Sequence, residues 1–151
     1  MTDATAIKAE PKGLGGWMIF PVMGSFLSPV QLALGLPESL NAMTTADFAG
    51  ASGGFKAFVA AEIIVHIVML GLWIYAIVLL LGRKSRFPRI LIALLAAALA
   101  INIADLAIAA GVFNSKLDPQ DGKVLARSLV GCLIWIPYML RSRRVRNTFV
   151  E

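Results

Sequence analysis

Side chains suited to catalysis or metal binding are scarce in this chain. Its 151 residues include one cysteine and one histidine, and only 15% are charged. One histidine excludes an HExxH zinc signature, and one cysteine excludes a cysteine metal cluster. Cys132 stands alone inside an apolar run, reads as a small packing hydrophobe, and says nothing about redox compartment. Ser25 and Ser28 have no histidine near them in sequence, so no nucleophile with a partner base stands out. The chain is expected not to be an enzyme.

Apolar residues fill the space left by these absences: 58% of the chain is hydrophobic and its mean hydropathy is +0.78. Four runs, at about 14–36, 57–82, 90–113 and 124–140, carry most of them. At ~1.5 Å rise per residue each run reaches roughly 25–39 Å as a helix, against a hydrocarbon core of ~30 Å. The predicted fold class is all-α, a polytopic membrane protein built as a bundle of four transmembrane helices. One helical domain is expected over 1–151, with a polar tail at 1–13 and a basic tail at 141–151. The first run is longer than the apolar segment of a signal peptide and no small-x-small cleavage site follows it, so it is expected to be retained.

The net charge of +5 would point to nucleic acid in a soluble protein, but its distribution gives a different reason. Ten basic residues fall on one side of the predicted spans: Lys8, Lys12, Arg83, Lys84, Arg86, Arg89, Arg141, Arg143, Arg144 and Arg146. The other side has Lys56, Lys116 and Lys123, with Arg127 just inside a span, and also holds Glu38, Asp47, Asp118 and Asp121. The positive-inside bias therefore predicts that both termini and the 83–89 loop are cytoplasmic. No nucleic-acid partner is expected. Trp17 near one end of the first run, and Trp135 and Tyr138 near the end of the last, suit the inner headgroup boundary. The segment Ala49–Gly54, rich in small residues, reads as a flexible loop, and the first span is expected to stop at Pro37.

Helical spacing sorts the spans into faces. In the second, Glu62, His66, Met69, Trp73, Ala76 and Leu80 recur every three or four residues, so one side carries both ionisable groups and should face the bundle. In the third, Ala93, Ala97, Ala100, Ala104, Ala107 and Gly111 form a stripe of small residues of the kind that lets helices approach closely in membranes. Asn102 and Asp105 project from nearly the opposite side, so this helix is expected to meet neighbours on two sides, within the monomer or in an oligomer.

Glu62, His66, Asn102, Asp105 and Arg127 make a descending ladder of polar groups within the spans. Charged residues at such depth are expensive unless they contact one another or water. A structural reading makes them a buried network in which Arg127 neutralises Glu62 or Asp105 and Asn102 donates across helices. A functional reading makes them a proton or cation path, or a pocket for a small polar ligand. Haem would need Met69, Met23 or a symmetry mate to complete ligation by His66, and a metal would need Glu62, His66 and Asp105 together. Neither is expected, and no cofactor is assigned. The tail Arg141, Arg143, Arg144 and Arg146 serves topology and is expected to contact anionic lipid headgroups.

Two stretches resemble a known family. Gly15-Gly16-Trp17 with Ser28-Pro29 forms one. The other runs from Ala126-Arg127-Ser128 through Trp135-Ile136-Pro137-Tyr138 to Ser142-Arg143-Arg144-Val145-Arg146 and Thr148-Phe149. In these the chain resembles the YdgK-like family of small four-span bacterial inner-membrane proteins, a domain of unknown function. The resemblance implies the bacterial cytoplasmic membrane and four spans, and it implies no activity. Glu62, His66, Asn102 and Asp105 fall outside its motifs. From the residues, the first expectation is a non-enzymatic accessory or scaffold acting through helix–helix contacts, as a homo-oligomer or with a membrane-protein partner. The alternative is a small proton-linked transporter or polar-ligand binder, and a weaker one is a haem-binding membrane protein.

Overall fold

The structure, a computed structural model, describes residues 13–114 and 118–150. Lys8, Lys12 and Lys116 therefore lie outside the described residues, as does most of the polar tail. The described chain is helical, with no strand. Four helices are long and apolar enough to cross a membrane. They are α1 (Ile19–Ala42, led in by a 3-10 turn at Gly16–Met18), α3 (Gly53–Leu81), α4 (Phe87–Gly111) and α5 (Pro119–Arg141). Two short helices complete the fold, α2 (Ala46–Gly50) and α6 (Arg143–Thr148).

The helices start where side chains can satisfy the free N–H groups of a first turn. Asp118 caps α5, its carboxylate accepting from the Gln120 N–H at 3.1 Å, while Asp121 accepts from the Asp118 N–H at 2.9 Å and Pro119 supplies the first helical residue. Ser52 caps α3 by accepting from the Phe55 N–H, and Thr45 caps α2 by accepting from the Phe48 N–H, each at 3.2 Å. The expected loop at Ala49–Gly54 is thus replaced by a capped turn of helix and the start of α3. Phe48 lies against Phe55, with ring centroids 6.5 Å apart, and Phe55 meets Phe113 edge-on at 5.3 Å. The first span likewise runs through Pro37 to Ala42. A proline inside a helix removes one N–H and crowds the preceding turn. Around Pro29 the hydroxyls of Ser25 and Ser28 donate to the carbonyls of Pro21 and Gly24, both at 2.8 Å.

Helix α1 packs on α3, α4 packs on α5, and a looser α3–α4 contact joins the two pairs. Helices α1 and α5 do not pack closely along their length. The buried side chains gather at one end, where both ends of the described chain meet the turn between α3 and α4. Met18, Ala76, Leu80 and Phe87 are fully buried there, with Leu91, Met139 and Val145 nearly so. In the turn itself the left-handed residue is Arg83 (φ 48°), while Gly82 keeps a negative φ. Outward positions such as Leu34, Ile64, Val78, Leu133 and Leu140 are exposed and apolar, as a lipid-facing surface requires.

Both ends of the described chain join this packed end. The N–H of Gly13 donates to Thr148 Oγ1 at 2.9 Å, that hydroxyl donates to the Arg144 carbonyl at 2.7 Å, and Arg144 Nη1 donates to the Gly15 carbonyl. Phe149 lies against Phe87 with centroids 4.8 Å apart. A string of rings, Trp17–Phe20–Trp135–Tyr138, runs from α1 to α5 at successive centroid distances of 5.9, 6.0 and 5.9 Å. It bridges those two helices at this end.

Candidate polar cavity between the four spans

Beyond the packed end the helices separate around a cavity of about 440 Å³. All four spans line it. Helix α1 contributes Ser28, Gln31 and Gly35, α3 contributes His66, Met69 and Trp73, α4 contributes Asn102 and Asp105, and α5 contributes Arg127, Ser128 and Gly131. Its apolar floor, Met69 and Trp73 with Leu95, adjoins the buried cluster. Its polar groups sit further along, toward the connections at 43–52 and 112–118. That division follows from sequence: α3 carries its large apolar side chains on the Met69–Leu80 part of the inward face and its ionisable groups one and two turns earlier.

A second cavity of about 330 Å³ adjoins the first, lined by Phe58 and Glu62 of α3, Asn102 and Asp105 of α4, and Asp121 and Leu125 of α5. Asn102 and Asp105 face both. Of the five polar residues singled out from sequence, His66, Asn102, Asp105 and Arg127 line the larger cavity and Glu62 the smaller. Their helices bring them to one region without direct pairing. Asp105 shares the smaller cavity with Glu62 and the larger with His66. Arg127 is exposed, and no ion pair joins it to Glu62 or Asp105 among the described residues.

Hydrogen bonds fix two of these side chains. His66 Nδ1 lies 2.9 Å from the carbonyl of Glu62 one turn earlier. A carbonyl only accepts, so Nδ1 carries the proton and Nε2 is the imidazole's remaining polar atom. Asn102 Nδ2 donates to Ser128 Oγ at 2.7 Å, tying α4 to α5 across the cavity wall. Just below, Cys132 is buried and its thiol donates to the Leu95 carbonyl at 3.2 Å. No group of three His, Cys, Asp or Glu among the described residues is arranged to hold a metal ion.

The chain belongs to the family described as "Protein of unknown function (DUF2569)". The match covers residues 11–150, and so takes in every element of the fold and both cavities. No curated protein and no solved structure matches the chain. Membership in this family therefore fixes kinship and leaves the chemistry to the site.

The remaining sequence-predicted residues are distributed as follows. Ala93, Ala100, Ala104, Ala107 and Gly111 are exposed, and Ala97 is half-buried, so the small-residue stripe lies on the side of α4 away from the cavities. Trp17 is 71% exposed, while Trp135 and Tyr138 are half-buried in the ring string. Arg141, Arg143 and Arg146 are exposed, whereas Arg144 is turned to Gly15. Sequence reading did not single out Ser28, Gln31 and Ser128 for the site. Gln31 is the lone amide in the first apolar run, which was the available signal. Ser128 gave none beyond its place in the Ala126-Arg127-Ser128 stretch of resemblance, since a serine in a span ordinarily bonds its own helix.

Proposed function

We propose that this is a non-enzymatic membrane protein that binds a small polar solute in the pocket between its four spans. The observation that carries the reading is the larger cavity itself. At about 440 Å³, with convergent polar groups above an apolar floor, it has the size and lining of a small-molecule site. Intramembrane ionisable residues in transporters line such water-accessible spaces, and a solute-binding or proton-linked transport role fits them. The proposal sets the protein in the bacterial inner membrane, with the packed basic end and both termini in the cytoplasm, so that the polar half of the pocket lies toward the outside.

The single buried cysteine supplies the test. Thermal unfolding of purified protein can be followed with a fluorogenic maleimide that reacts when Cys132 is uncovered. A panel of polyols, inorganic ions, amines, carboxylates and zwitterions is screened for a raised midpoint. A Cβ added at Gly131 meets no atom within 4 Å, so Gly131→Leu should fill the cavity without a clash at its base. At least one solute class should stabilise the wild type and lose its effect in Gly131→Leu. A panel with no effect, or an effect unchanged in that variant, overturns the proposal.

A second reading, an accessory or scaffold acting through helix contacts, is favoured by the exposed stripe on α4. Five unbranched positions in register offer a flat surface for another helix, from a second copy or from a membrane-protein partner.

A further inference from the structure

We infer that the solute is a small zwitterion with an apolar substituent, an α-amino acid being the simplest example. This rests on the pocket reading above and narrows it. Arg127 and Asp105 line the same cavity, one on α5 and the other on α4. Neither forms an ion pair with the other, or with any other described residue. Ionisable side chains within a membrane are retained where they find a partner. Two charges of opposite sign that share a pocket without meeting leave both partner positions to whatever enters it.

The surroundings sharpen the polarity. On the Asp105 side, the Glu62 carboxylate, which shares the smaller cavity with Asp105, adds negative charge. On the other side Arg127 is the one cation lining the pocket. The Asn102 amide nitrogen is already held by Ser128 and the Ser28 hydroxyl donates to the Gly24 carbonyl, which leaves Gln31 of α1 as the uncommitted neutral side chain of the lining. Trp73, Met69 and Leu95 form a floor that would accept an aliphatic or aromatic group. A monovalent ion answers one charge and leaves the other unmet. A polyol answers neither and cannot use the floor. A carboxylate directed to Arg127, an ammonium directed to Asp105 and an apolar side group on the floor answer all three.

The same chemistry is offered by a zwitterionic phospholipid headgroup, for which the open seam between α1 and α5, with Gln31 and Arg127 exposed, gives a lateral approach. The experiment separates the two sources. Three probes are titrated against the full chain in detergent, with Cys132 unmasking as the readout: leucine, isopentylamine (which lacks the carboxylate) and 4-methylpentanoate (which lacks the ammonium). Saturating leucine should raise the unfolding midpoint by roughly 5 °C. Each singly charged analogue should need at least about tenfold more to match it, because one charged group of the pocket is then left without its hydrogen bond.

Arg127→Gln should reduce leucine to the level of the amine and leave the amine unchanged. Asp105→Asn should reduce leucine to the level of the acid. Midpoints without ligand report whether each variant folds, and Arg127→Lys and Asp105→Glu, which keep the charge, should restore the preference for leucine. Repeating the wild-type titration in nanodiscs of phosphatidylethanolamine and of phosphatidylglycerol locates the source. A free solute acts equally in both, whereas a headgroup ligand raises the midpoint in the first, dependent on Arg127, and leaves leucine nothing to add.

The inference is overturned if either singly charged analogue matches leucine in the wild type, or if both charge-removing substitutions leave leucine binding intact. It also falls if polyols or simple ions stabilise the protein and leucine does not, an outcome under which the pocket reading stands. If nothing on the panel stabilises the protein, both fall.

Discussion

Thr148 and Gly13 are hydrogen-bonded across 135 residues of chain: the Gly13 N–H donates to the Thr148 hydroxyl at 2.9 Å. That hydroxyl in turn donates to the Arg144 carbonyl, so one buried side chain joins the segment before α1 to the last turn of the fold. The two stretches of family resemblance, Gly15-Gly16-Trp17 and Arg143-Arg144-Val145 through Thr148-Phe149, meet here. Their residue types are explained by this contact at the packed end.

Thr148→Val keeps the shape and removes the acceptor. It leaves the Gly13 N–H without its partner next to the buried cluster, which should cost about 1–3 kcal/mol. The midpoint of Cys132 unmasking should fall, while Thr148→Ser, which keeps the hydroxyl, should lose less. Equal stability of the valine variant and the wild type would show that water replaces the bond.

Gly16 makes a second demand on the same joint. Its φ is +64°, and a Cβ there would sit 2.9 Å from Nη1 of Arg144. Gly16→Ala should therefore destabilise by about 1–3 kcal/mol, from left-handed backbone strain together with displacement of the guanidinium. Combining it with Arg144→Ala separates the two: the clash disappears and the backbone strain stays. The double variant should be more stable than the sum of the single effects, read from the same thermal midpoints.

The sequence made the four spans and the inward face of α3 plain, because twenty-residue apolar runs and 3.6-residue spacing are strong local signals. Met69, Trp73, Ala76 and Leu80, placed on one face by spacing, are all buried. The helix starts were written less loudly. Thr45 and Ser52 are ordinary capping residues, and only the hydroxyl-to-N–H geometry distinguishes their turns from a flexible glycine-rich loop. Pro37 was a poor stop signal because a membrane helix tolerates an unpaired carbonyl when neighbouring groups supply bonds. The partners of the polar groups were not legible. Spacing within a helix can assign Asn102 a face, but that its amide meets Ser128, 26 residues later, depends on how α4 and α5 pack.

That bond carries its own expectation. Asn102→Leu and Ser128→Ala should each destabilise the bundle, and a double-mutant cycle should return a coupling of about 0.6–2 kcal/mol, the range for polar pairs between membrane helices. Unfolding midpoints of the four proteins measure it. A coupling near zero would mean that the two helices are held by packing alone and that Asn102 is available to a ligand.

Charge placement sets the expected orientation. Arg83, Lys84, Arg86, Arg89, Arg141, Arg143, Arg144 and Arg146 lie at the packed end, and Lys56, Lys123 and Arg127 are the described basic residues elsewhere. Alkaline phosphatase fused after residue 150 should be inactive in a bacterial host, and fused in the connection at 112–118 it should be active. Replacing Arg83, Arg86 and Arg89 with glutamine should weaken this contrast without inverting it, since the C-terminal arginines remain. The reverse pattern of fusion activities would turn the polar half of the cavity toward the cytoplasm.

The stripe on α4 lies on the side opposite the cavities, and this separates assembly from binding in a single experiment. Ala100, Ala104 and Ala107 are exposed and outside the lining of both cavities, so enlarging them should leave the monomer's interior unchanged. If the stripe seats another helix, Ala104→Cys in a Cys132→Ala background should crosslink in native membranes, to a second copy or to a partner of different mass. Ala100→Leu should abolish that crosslink by holding the backbones apart. Unfolding of the Ala100→Leu protein in an otherwise wild-type background, followed through Cys132, should stay within about 0.5 kcal/mol of wild type, as for a surface change. A large loss of stability would instead mean that the stripe packs within the folded monomer, and the absence of any crosslink would leave this face to lipid.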